Sequence, residues 1–226
     1  MGETLAGLLA RVRAALGGAP QPSDPPAVPE VLVRLASCAG DLTALFLARA
    51  AGVGLVAEAL GASHAARRVA EILHAQKVRR VALDASLGEL EVHLREEGFD
   101  IDGPDALYDT EAGITGVEAA LADTGTIVLR ADSGLSLVPP LHVALLFERD
   151  IVPDMLDYFR GGPTGPRVFV TGPSKTADIE GELITGVHGP GRVHVLVLLA
   201  GDQEDDRRVV EQVHEHPREE AVAAGA

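Results

Sequence analysis

His142-Val143-Ala144-Leu145-Leu146-Phe147 is a short run in which everything after the first residue is apolar. Such a run is too short for a core helix and carries no polar alternation. It reads as a strand buried on both faces, the pattern of a parallel sheet covered on each side. Val193 to Leu198 repeats the pattern near the end of the chain, and Arg80 to Leu83, Thr126 to Leu129 and Arg167 to Thr171 read as shorter strands. Val53 to Val56 and Phe99 to Ile101 are brief apolar runs of the same kind. Between them lie segments with helical spacing: Glu30 to Ala51, Arg67 to Gln76 with Ser63 as N-cap, Ser86 to Glu97 closed by Gly98, Thr115 to Ala122, and Val152 to Phe159. Strand and helix in alternation predict an α/β fold, a largely parallel sheet with helices on both faces.

The 226 residues suit one such domain with extensions. Leu5, Leu8, Leu9, Val12 and Leu16 recur at helical spacing, and Gly17-Gly18 ends that pattern. Five prolines between Pro20 and Pro29 then exclude a helix. The expected division is a helix and Pro-rich arm at 1–29, an α/β domain at 30–200 and a polar, acidic tail at 201–226.

Net charge is −15, and it is unevenly spread. Residues 84–123 hold twelve acidic residues against Arg95 alone. This reads either as a solvated face or as an acidic surface for a partner. Nucleic acid is not an expected partner, because phosphate binding needs clustered Lys and Arg. The single cysteine, Cys38, excludes a disulfide framework, a CxxC pair, a zinc cluster and an iron–sulfur site. His214 and His216 in the tail are a weak metal signal, and no metal site is expected. The first residues are interrupted by Arg11 and Arg13, so no membrane span or secretory leader is expected and the expected compartment is the cytoplasm.

Three Gly, Ser and Thr-rich segments could carry chemistry. In the first, Asp123-Thr124-Gly125 and Asp132-Ser133-Gly134 look like the triplets of aspartic proteases. They lie nine residues apart, too close to come from two lobes sharing a proton between carboxylates. The alternative is that Thr124, Gly125 and Thr126 form a helix-to-strand turn lining a pocket, with Glu118 one helical turn earlier as an acid/base. In the second, Gly172-Pro173-Ser174-Lys175-Thr176 follows a strand and is expected to open a helix, with N–H and hydroxyl groups and one cation for an anion. A phosphate loop of nucleotide hydrolases would need glycines where Ser174 and Phe169 stand, so ATP is not implied. Asp178 either caps the following helix or joins the site. In the third, Gly186-Val187-His188-Gly189-Pro190-Gly191 is a tight turn in which His188 is a second acid/base candidate. In this setting ligands are expected beyond the carboxyl ends of strands.

Taken in order, Ala122 to Thr126, Ser136-Leu137-Val138-Pro139 with His142, Gly172 to Glu180 and Gly186 to Pro190 carry a resemblance. The chain resembles the lactate-utilisation protein C family, or LUD domain, over about Gly113 to Leu199. The resemblance implies a Rossmann-like three-layer α/β sandwich with a mostly parallel sheet, similar to the ribose-phosphate isomerase and CoA-transferase-like folds. It also implies a subunit of a bacterial system that oxidises L-lactate to pyruvate together with iron–sulfur partner proteins. The chain itself is expected to bind no cofactor and to meet a small anionic metabolite. Relatives of similar fold fit less well. Glu118 lacks the glycine context of the CoA-transferase nucleophile, and neither Tyr108 nor Tyr158 adjoins the Gly-rich loop of folate cyclo-ligases. A non-catalytic assembly module, or an enzyme acting on a CoA ester or sugar phosphate, are the alternatives.

Overall fold

The structure is a computed structural model that describes residues 5–15, 40–131, 134–177 and 183–200. In chain order its first strands are β1 (Val56–Gly61), β2 (Arg80–Leu83), β3 (Asp100–Ile101), β4 (Ala112–Gly116), β5 (Ala119–Leu121) and β6 (Thr126–Arg130). They are followed by β7 (Leu141–Phe147), β8 (Ile151–Val152), β9 (Arg167–Val170), β10 (Lys175–Ala177), β11 (Leu183–Thr185) and β12 (Arg192–Leu199). The α-helices are α1 (Leu5–Ala15), α2 (Leu42–Val53), α3 (Ala65–Ala75), α4 (Gly88–Glu96) and α5 (Met155–Arg160).

His142 to Phe147 lies within β7, which is buried along its whole length. It lies inside a six-stranded sheet of order β1-β12-β7-β4-β2-β3 in which every neighbouring pair is parallel. Alternate residues of a strand point to opposite faces. Val143, Leu145 and Phe147, with Leu196 and Leu198, pack against Val69 and Leu73 of α3 and Leu90 and Leu94 of α4. Ala144, Leu146, Val195 and Val197 pack on the other face against Phe46 and Ala50 of α2 and against Ala120, Ala122, Ile127 and Leu129. The latter come from a second, mixed sheet of order β8-β5-β6-β9 and, for Ala122, from the turn after β5. Each large apolar side chain buried this way contributes about 1.5–3 kcal/mol. The fold is thus a three-layer α/β sandwich, with one outer layer of two helices and the other of α2 plus a sheet. That second sheet replaces the all-helical layer expected from the sequence.

Several local expectations change. Thr115 to Ala122 is not a helix: it covers the end of β4 and all of β5. Val53 closes α2, and the first strand begins only at Val56. Ser63 sits in a 3₁₀ turn and is not the N-cap of α3; that position is His64, without a side-chain cap. Ser86 lies in a 3₁₀ turn whose first amides Asp84 holds, and α4 starts at Gly88. Val152 belongs to β8, and α5 starts after Asp154, which accepts from Asp157 N. Lys175 opens no helix; β10 and β11 form an antiparallel hairpin. The Pro-rich arm, Cys38, Asp132-Ser133, Asp178 and the tail lie outside the described residues.

The chain divides into two units, Met1–Arg34 and Leu35–Ala226. In the first, α1 buries none of its residues. In the second, Asp41 accepts the Ala44 amide at 3.0 Å and starts α2, and Gly54 at φ 92° ends it.

Candidate ligand site

The C-terminus of α2 organises one half of the site. The β5–β6 turn runs over it, and a Cβ on Gly125 would lie 2.4 Å from the Ala50 nitrogen. Only glycine fits there, and its φ of 66° favours glycine as well. On either side of it, Thr124 and Thr126 share a hydroxyl hydrogen bond of 2.8 Å, and Thr126 meets Thr171 at 2.7 Å. The three hydroxyls therefore form one chain from the turn to the end of β9. Gly172 then passes so close to α2 that a Cβ would lie 2.5 Å from Val53 O. The Lys175 ammonium, on an exposed side chain, reaches the same carbonyl at 3.4 Å. Carbonyls at a helix C-terminus are unpaired and partly negative, so a cation there is favourable.

The other half is tied to the first through Ser174. Its N–H donates to Pro190 O at 2.9 Å, and its carbonyl accepts from Gly186 N at 2.9 Å. Gly191 N in turn donates to Pro140 O at 3.0 Å. The Gly172–Thr176 segment, the Gly186–Gly191 turn and the end of the 134–140 loop are thereby held together. Thr176 pairs with Ile184 in the hairpin, and Pro173 packs by Gly54. His188 is exposed on the turn. The turn and the 134–140 loop lead into β12 and β7, so this half lies at the amino ends of the central strands. The expectation of a site beyond their carboxyl ends does not describe it.

Glu118 is placed elsewhere. Its carboxylate is 2.5 Å from Arg167 Nε and accepts from the Tyr158 hydroxyl at 3.3 Å. Burial works against the Arg167 charge, but the hydrogen bond and charge of Glu118 outweigh it and leave the guanidinium pKa raised. Burial, then the negative charge of Glu118, push the Tyr158 hydroxyl up. The ion pair joins β9 to the residue before β5, beside edge-to-face contacts of Tyr158 with Phe159 and Phe169. Glu118 is thus a member of a packed cluster apart from the Ser174–Lys175 loops. Asp178 falls outside the described residues.

Two further features lie near the site: His142, read from the sequence as the start of a strand, and Glu111, which the sequence did not mark. His142 is fully buried, its Nε2 2.8 Å from Thr115 Oγ1, while Nδ1 has no partner among the described residues. Burial pushes its pKa down to about 4. Its neighbour across the ladder is Gly113, where a Cβ would strike Leu135 O at 2.1 Å. The loop over His142 can therefore lie flat on the sheet. The second feature is Glu111, whose Oε2 accepts the amides of Arg79 and Arg80 at 2.6 and 2.9 Å. Those hydrogen bonds, Arg80's first, hold its pKa below the usual carboxylate range. A contact spanning thirty residues leaves no sequence signal.

Residues 48–198 match the LUD domain family. That span covers both sheets and every loop of the site. The chain is 33% identical to "Lactate utilization protein C" of Oceanobacillus iheyensis over 123 residues, 49% of this chain and 53% of that protein. It is 38% identical to the protein of the same name in Bacillus subtilis over 104 residues, 40% of this chain and 42% of that protein. The chain spans about half the length of the curated relatives it matches. A crystal structure of a DUF162 family protein from Deinococcus radiodurans is similar, with TM-score 0.53 and 23% identity, over 71% of this chain and 96% of that one. This likeness concerns the fold.

Proposed function

Because the chain belongs to the LUD domain family, we propose that it serves bacterial L-lactate utilisation and holds a small organic anion at the Ser174–Lys175 loops. The observation that carries this is the convergence of separate loops on Ser174, which joins Pro190 and Gly186 by backbone hydrogen bonds. The name "Lactate utilization protein C" borne by relatives supplies the metabolite class. Lys175 gives the counter-charge, Ser174 and Thr124 offer hydroxyl donors, and His188 is the acid/base. Glu118 serves less well in that role, because its carboxylate is committed to Arg167. One cysteine cannot hold a cluster, so this chain needs another redox carrier for any electron transfer; the resemblance to the lactate-utilisation family implies that iron–sulfur partner proteins supply it.

Deleting the gene in its host is expected to abolish growth on L-lactate, and the intact chain is expected to restore it. Unimpaired growth of the deletion strain overturns the cellular role. For the site, L-lactate or pyruvate is expected to raise the melting temperature of the purified chain by mass action. Lys175→Ala is expected to remove most of that increase while changing the ligand-free melting temperature little, since the ammonium's hydrogen bond to Val53 O is exposed. Loss of stability and binding in equal measure would reduce Lys175 to a helix cap.

A further inference from the structure

We propose that a second anion site lies on the amino edge of the six-stranded sheet, in an open cleft between Lys77 and Arg192 that takes the carboxylate or phosphate group of a small metabolite. The cleft measures about 510 Å³ and is walled by the end of α3, by Glu111, by the start of β7 and by Gly186 and Arg192. A volume of this size is that of a small-molecule site.

Three observations point to an anion. The first is the backbone of Lys77. Its φ is 59°, and it is the one non-glycine residue with positive φ among the described residues. The position follows the C-terminus of α3, where glycine or asparagine is favoured because a Cβ is crowded. A lysine kept there at a conformational cost marks a place where the side chain is useful.

The second is that the helix end does not need this ammonium. The amides of Gln76, Lys77 and Val78 already close the carbonyls of Ile72, His74 and Leu73. The exposed carbonyl dipoles that would otherwise attract the lysine and repel an anion are thus largely answered.

The third is charge. In a chain of net charge −15, neither Lys77 nor Arg192 forms an ion pair among the described residues. Arg192 donates to the Gln76 amide oxygen across the cleft, which leaves its charge uncompensated. Glu111, the carboxylate in the wall, spends an oxygen on the Arg79 and Arg80 amides. Two cations against one committed carboxylate leave the cleft net positive. An oxyanion is the ligand class that answers both of them.

This site shares the Gly186–Gly191 turn with the loops at Lys175 but draws on different cations, and the test separates them. The full chain is titrated by calorimetry with L-lactate, pyruvate and inorganic phosphate. Saturable binding of at least one probe is expected, weakened about tenfold or more in each of Lys77→Gly and Arg192→Met. Lys77→Gly is also expected not to lower the melting temperature, because glycine suits the left-handed backbone. Phosphate-only or carboxylate-only binding lost in both variants supports the site and fixes its class. If no probe saturates by about 10 mM, or both variants bind as the parent does, the inference is overturned. Binding lost only in Lys175→Ala overturns it too, and leaves the Ser174–Lys175 reading intact.

Discussion

His142 and Gly125 show how single residues bind the layers together. His142 is neutral in the fold because burial holds its pKa near 4 against an ordinary value of 6.5. Between those values the unfolded chain carries the extra proton. Stability is therefore complete above about pH 6.5 and falls as pH drops through the window. At about 1.36 kcal/mol per unit, the loss between pH 7 and pH 5 amounts to about 2 kcal/mol. His142→Gln keeps a polar partner for Thr115 and is expected to flatten that part of the profile, measured by urea unfolding at the two pH values. The same slope in parent and variant would clear His142 of the effect. His194, lowered by burial and then by the Arg68 charge, acts with the same sign and supplies a residual slope. Gly125→Ala puts a Cβ against backbone of α2, which has no soft rotamer to yield. A loss of about 3 kcal/mol is expected in thermal or denaturant unfolding, from overpacking added to the positive φ. A loss below about 1 kcal/mol would mean that turn and helix part easily.

At the scale of elements, buried strands were legible and the second sheet was not. β7 and β12 announce themselves, since strands covered on both faces have no polar side to encode. The segment 115–122 misleads because Val117, Ala120 and Leu121 sit at helical spacing and alanine favours helix. Tertiary context decides otherwise. Ala120, Ala122 and Ala144 lie in one buried cluster, and such small side chains allow sheet to approach sheet. Lys175 to Thr185 misleads in a similar way, for a Gly-Ser-Thr stretch after a strand resembles a helix start. The β-branched Thr176, Ile184 and Thr185 were the available signal for a hairpin. Of the candidate site, a turn at Thr124 to Thr126 was legible, but its meeting with Gly172 on α2 was not, being a contact across the fold. That helix end depends on a cap at the other end. Asp41→Ala is expected to cost about 1 kcal/mol in unfolding free energy, because the Ala44 amide loses its acceptor. No measurable cost would show that packing of Phe46 and Ala50 alone holds α2.

For the whole molecule, part of the acidic stretch is answered within the chain. Asp100 pairs with Arg79, Asp102 with Arg80 and Glu91 with Arg95. Glu111 holds two amides. Asp100 and the residues after it also line the edge strand β3, where charge discourages pairing with another sheet. An acidic docking face keeps only what these contacts leave. The partition of stability follows from the core clusters, whose members among the described residues all come from residue 42 onward. α1 adds eleven residues with none buried and leaves Leu5, Leu8, Leu9 and Val12 exposed. A helix this short, without packing, is marginal in water. Removing residues 1–34 is therefore expected to leave the unfolding free energy from urea titration unchanged within about 0.5 kcal/mol, because no core-cluster member among the described residues is lost and surface changes seldom exceed that. The folded remainder is also expected to keep the binding of the full chain at both anion sites. A fall of more than about 1 kcal/mol would place the first unit in the cooperative core. Binding lost with stability intact would instead assign the exposed leucine stripe to the function of the domain rather than to its folding.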